Sequence, residues 1–151
     1  MSVINEMRLE FTATSENEAF ARLAVSGFML PLDPTMEELA DVKTAVSEAV
    51  TNAIIHAYAG KPGMVHMSAA YDGTGELTIQ IVDHGCGIVD VQRARQPFFT
   101  TSDSEERSGM GFTVMESFMD GVDVTSVPGE GTTVRMSKRI LLRDDAFPQQ
   151  A

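Results

Sequence analysis

The segment from Thr35 to Tyr58 constrains the fold most, because one stretch of chain carries two helical stripes of opposite character. Leu39, Val42, Val46, Val50 and Ile54 recur at helical spacing, which predicts an apolar face laid on a core. Thr35 followed by Glu38 has the form of a capping box and sets the start. Within "EAVTNAIIH", residues 48–56, Glu48, Asn52 and His56 recur every four residues, so a polar stripe runs beside the apolar one. Such a stripe either meets solvent or lines a site.

The rest of the chain supplies something for that helix to cover. Met7, Leu9 and Phe11 alternate with polar neighbours as in a half-buried strand. Ser15 with Glu18 reads as a second capping box, opening a helix with Phe20, Leu23, Ala24 and Phe28 as its apolar stripe and Glu18, Arg22 and Ser26 as its polar one. "MVHMSAAY" and "ELTIQIVD" flank "DGTG" as a hairpin that delivers Asp83 at a strand end. A polar loop follows, "GMGFTVMESFMD" restores helical spacing, and "VDVTSV", "PGEG" and "TTVRMSKRI" form a closing hairpin. This order predicts one α/β domain over residues 1–151, a two-layer sandwich with helices on one face of a mixed, mostly antiparallel sheet. The tail, about 142–151, is expected to fray.

Composition narrows the function. With 22 acidic against 11 basic residues the formal net charge is -11, which opposes nonspecific binding to nucleic acid or anionic membrane. The single cysteine, Cys86, cannot form an internal disulfide, and neither a signal-peptide pattern nor a membrane-length apolar run is found. A cytoplasmic protein with protein or small-molecule partners is expected.

Two glycine clusters bear on the site. "DHGCG" at 83–87 sets a carboxylate at a strand end before Gly85 and Gly87, and "SGMG" at 108–111 sets Gly109 and Gly111 at a helix start. Glycine admits close approach of backbone to a ligand, and a helix start offers free N–H groups suited to phosphate. Each cluster alone is equally a turn; their order after Glu48 and Asn52 is what is informative.

That order resembles the ATP site of the gyrase, Hsp90, histidine-kinase and MutL superfamily. "NEMRLEF", "LDPTMEEL", "SEAVTNAIIH", "ARQPFFTT" and "ERSGMGFTVMESFMD" further resemble the sporulation anti-sigma F factor family, serine-protein kinases that also sequester a sigma factor. The resemblance runs from about residue 5 to 140 and implies a Bergerat-type ATP-binding fold. It implies ATP as substrate, ADP as product, Mg²⁺ held through Asn52 and the phosphates, Glu48 as general base and Arg107 on the transferring phosphoryl group. Asp83 would accept a hydrogen bond from the adenine amino group, with Gly85 and Gly87 giving the base room. Ser108, Gly109, Met110 and Gly111 would offer backbone donors to the phosphates, and Thr132 would contact adenine. Residues 93–108 would form a lid anchored by Phe98 and Phe99, or those rings would be plain core.

The implied partners are an RNA polymerase sigma factor, an anti-anti-sigma factor as serine substrate, and a second copy of the chain. Arg22 is a candidate contact for the sigma factor. A nucleotide-dependent sigma-binding module without kinase activity and a stress-response regulatory serine kinase are the alternatives. No role falls to His84 or Cys86, and His56, with no dimerisation helix pair to carry a phosphoaccepting histidine, is read as a helix-end residue.

Overall fold

Alternation along the strands builds the sheet. In β2 (Met64–Asp72) and β3 (Glu76–Asp83) every second residue is buried, so one face carries Val65, Met67, Ala69, Leu77, Ile79 and Ile81 to the core. β1 (Val3–Thr12), β4 (Gly121–Val127) and β5 (Gly131–Arg139) complete five strands in the order β1-β2-β3-β5-β4. Every pairing among them is antiparallel; the parallel element of the expected mixed sheet is absent among the described residues. The computed structural model describes residues 2–96 and 111–141. The tail 142–151 and the lid from residue 97 on, including Phe98 and Phe99, lie outside them.

Hairpin turns follow from side-chain chemistry. The Asp72 carboxylate accepts from the Thr74 N–H (2.8 Å), the Thr74 hydroxyl (2.6 Å) and the Glu76 N–H (3.2 Å), closing the β2–β3 turn.

Helix α2 (Met36–Thr51) begins as the sequence predicts. The Thr35 hydroxyl accepts from the Glu38 N–H at 2.9 Å while the Glu38 carboxylate accepts from the Thr35 N–H at 2.8 Å. Val42, Val46 and Val50 are fully buried, each stabilising the fold by roughly 1.5–3 kcal/mol relative to exposure. The helix does not continue to Tyr58 in α form. Residues Asn52–Ala57 form a π-helical turn, of the kind that often marks a functional site.

The other helices are α1 (Glu16–Met29), α3 (Val91–Ala94) and α4 (Gly111–Phe118). Two expectations for α1 are corrected. Its buried stripe is Ala21, Val25 and Met29; of the expected stripe, Ala24 and Phe28 pack partly buried against the core, whereas Phe20 and Leu23 are 45% and 71% exposed. Ser15 makes no side-chain cap: its backbone is already helical and the Glu18 N–H goes to its carbonyl, while the Glu18 carboxylate, the other half of the expected box, accepts instead from Ser47 (2.5 Å), Thr51 (3.2 Å) and Arg22 (2.6 Å). Glu18 and Arg22 thus face the neighbouring helix. One cluster of buried residues runs from Phe11 to Ile140. Among the described residues no helix is long and apolar enough to cross a membrane.

Candidate active site

Two clusters at one end of the sheet make up the site. In the first, Glu48 and Asn52 lie one turn apart on α2 and at the start of the π turn, and Gly111 opens α4 against them. A Cβ on Gly111 would stand 3.3 Å from both Nδ2 and Oδ1 of Asn52 and 3.5 Å from Oε2 of Glu48. The missing side chain is therefore what lets the α4 backbone reach the polar stripe. Burial pushes the Glu48 carboxyl above the usual carboxylate range, and the Glu18 charge adds to the rise. A half-buried carboxylate of raised proton affinity beside an amide oxygen suits a general base next to a hard cation. Among the described residues no group of three or more His, Cys, Asp or Glu could hold a metal ion, so a cation here would rest on the Asn52 amide and on ligand oxygens.

The second cluster surrounds Asp83, which is buried together with Thr132. The two are register partners across β3 and β5. The Asp83 carboxylate accepts from the Gly85 N–H at 2.9 Å and from the Thr132 backbone; burial pushes its proton affinity up, and these two donors oppose that rise. The Ser126 hydroxyl lies 2.8 Å from that of Thr132 and accepts from the Ile88 N–H at 2.7 Å.

Gly85 and Gly87 are required by backbone packing. A Cβ on Gly85 would stand 2.4 Å from the Ala57 carbonyl oxygen; one on Gly87, whose φ is +73°, would stand 2.3 Å from that of Val127.

The structure thus gathers Glu48, Asn52 and Gly111 in one place and Asp83, Gly85, Gly87 and Thr132 in another. Arg107, Ser108, Gly109 and Met110 lie outside the described residues. Arg95 is engaged with Glu116 (2.5 Å) and the Val122 carbonyl (3.0 Å). Arg22, half-buried, bonds Glu18 and the Ser47 hydroxyl.

Sequence reasoning missed Glu18 as a neighbour of Glu48, and also Tyr58, Ser126 and Gly131. Gly131 (φ +138°) would place a Cβ 2.2 Å from the Asp83 carbonyl oxygen. Its signal was present in "PGEG", which reads only as a turn.

This sheet, with a polar stripe, the Asp83–Gly87 box and Gly111 gathered about one end, defines a class. The chain belongs to the histidine kinase-like ATPase domain family, whose model matches residues 11–138. Within it the chain belongs with the anti-sigma F factors: it is 57% identical over 138 residues to the anti-sigma F factor of Halalkalibacterium halodurans, covering 90% of this chain and 93% of that one. It is 54% identical over 140 residues to that of Thermoanaerobacter sp. (strain X514), covering 93% and 97%. Among solved structures, the RsbU and RsbW domains of Rv1364c from Mycobacterium tuberculosis share the fold with a TM-score of 0.66 at 21% identity, over 90% of this chain and 32% of that chain.

Proposed function

We propose that this chain is a cytoplasmic protein serine kinase and anti-sigma factor in one, using Mg-ATP to phosphorylate a serine of an anti-anti-sigma factor and holding a sporulation sigma factor in an ATP-dependent way. The observation that carries the reading is the joint presentation of Glu48 and Asn52 to the backbone at Gly111. Glu48 takes the proton of the serine hydroxyl as its oxygen bonds to the γ-phosphorus; the bond to the β–γ bridging oxygen breaks and ADP leaves. Asn52 would offer its amide oxygen to Mg²⁺, which when bound would offset phosphate charge. Asp83, beside Thr132, reads the adenine amino group, and Gly85 and Gly87 shape the wall under it. The roles proposed for Arg107 on the transferring phosphoryl group, for the backbone donors of residues 108–111 on the phosphates and for residues 93–108 as a lid rest on the family resemblance, since residues 97–110 lie outside the described ones.

The proposed assembly is a homodimer, with Arg22 on the sigma-facing surface. The test is intact-mass analysis of the anti-anti-sigma protein of the same genome after incubation with this chain, Mg²⁺ and ATP. A gain of one phosphoryl group with wild type, absent with Glu48→Gln, is expected. No gain, with ATP still bound, would favour a nucleotide-switched binding module.

A further inference from the structure

The two clusters of the site are tied together by a residue with no role in the reading above. The geometry points to Tyr58 as a positioning residue for base recognition: its hydroxyl holds the corner that carries Asp83 in a set relation to Asn52. Tyr58 closes the π turn that Asn52 opens. It is buried, and its hydroxyl donates to the Met64 carbonyl at 2.7 Å while accepting from the His84 N–H at 2.8 Å. His84 directly follows Asp83.

A second bond runs in parallel. The Ala57 carbonyl accepts from the Cys86 N–H at 2.9 Å, and the absence of a side chain at Gly85 allows that approach. The end of the π turn therefore grips residues 84 and 86 by their backbone donors, with Asp83 just outside the grip. The ring is set from the other side, since a Cβ on Gly63 would stand 2.4 Å from Cε1 of Tyr58. A phenylalanine would fill the same volume yet remove the partner shared by the part-buried His84 N–H and Met64 carbonyl, and the corner would relax to satisfy them.

This inference rests on the proposal that Asp83 reads the 6-amino group of adenine. The quantity that follows is selectivity between a purine that offers that amino donor and one that offers an oxygen instead.

The experiment measures the dissociation constants of Mg-ATP and Mg-inosine triphosphate for the full chain as wild type, Tyr58→Phe and Thr74→Ala. Thr74→Ala alters the β2–β3 turn at the other end of the sheet and serves as a purely structural comparator. We expect the preference for ATP to fall about fivefold in Tyr58→Phe, the worth of one net hydrogen bond, and to be unchanged in Thr74→Ala. Gly63→Ala, which displaces the ring and keeps the hydroxyl, should reproduce the fall and serves if Tyr58→Phe does not fold. A lower melting temperature with unchanged preference in both Tyr58→Phe and Gly63→Ala would reduce Tyr58 to packing and overturn the inference. Absence of ATP binding by the wild type would overturn the nucleotide reading and this inference with it.

Discussion

Glu48 is held where a carboxylate is poorly solvated and beside the like charge of Glu18, so its ionised form costs the fold free energy. Its proton affinity is higher folded than unfolded. The stabilisation from this group is accordingly complete below the unfolded value and lost as pH rises through the folded one. Glutamine keeps the shape without the charge, so Glu48→Gln should melt above wild type near neutrality while losing phosphotransfer. The gap in melting temperature should be small below ordinary glutamate titration, open as pH rises through the range just above it, and level off once pH has passed the raised folded value. Thermal melts across that range check it. A gap independent of pH would mean that burial of the ionised group is not what the substitution relieves. On the proposed reading, the environment that weakens the fold also suits Glu48 to act as a base, a trade expected of a catalytic position.

At the scale of elements, α2 and its continuation show what a sequence can and cannot disclose. Thr35, Glu38 and the valine stripe act through contacts within a few residues, and their pattern predicts the observed helix. The π turn at Asn52–Ala57 is tied to chain far away, through Cys86 on the Ala57 carbonyl and His84 on Tyr58, and no local periodicity announces it. Helix α1 misleads for the same reason: Glu18 has the spacing of a capping residue, yet three donors, two of them on α2, compete for it. The placement of Glu48 and Asn52 one turn apart and of Asp83 at a strand end was legible from local periodicity; the packing of Gly131 was not, because the backbone it clears belongs to β3.

Helix α4 allows a direct test of the glycine argument. Gly111→Ala should favour the helix by up to about 1 kcal/mol, so stability should hold or rise. The new methyl would press on the Asn52 amide at 3.3 Å, and Mg-ATP affinity should fall by about tenfold or more, as for about 1.4 kcal/mol of lost contact. Calorimetry of unfolding and of nucleotide binding separates the two; retained affinity would mean that the phosphates do not approach this helix start.

For the whole molecule the open question is what meets the outer edge of β1, a ten-residue strand at the end of the sheet order. Val3 and Ile4 are 55% and 66% exposed there, and a long edge with apolar side chains invites a further strand. Self-repulsion from a net charge of -11 opposes association of two copies. A pairing that survives it must therefore draw on the backbone and on those apolar residues. Lysine at an edge position blocks such pairing at little cost to the monomer, because the side chain is already in solvent. Val3 pairs with Asp72 beside the β2–β3 turn, whereas Asp83 lies at the far end of β3, so the nucleotide site should not sense the change. Wild type should sediment at twice the chain mass of 16.4 kDa and Ile4→Lys at that mass, with ATP affinity equal in both. Wild type sedimenting as a single chain would refute the dimer, and a dimeric Ile4→Lys would move the interface away from this edge.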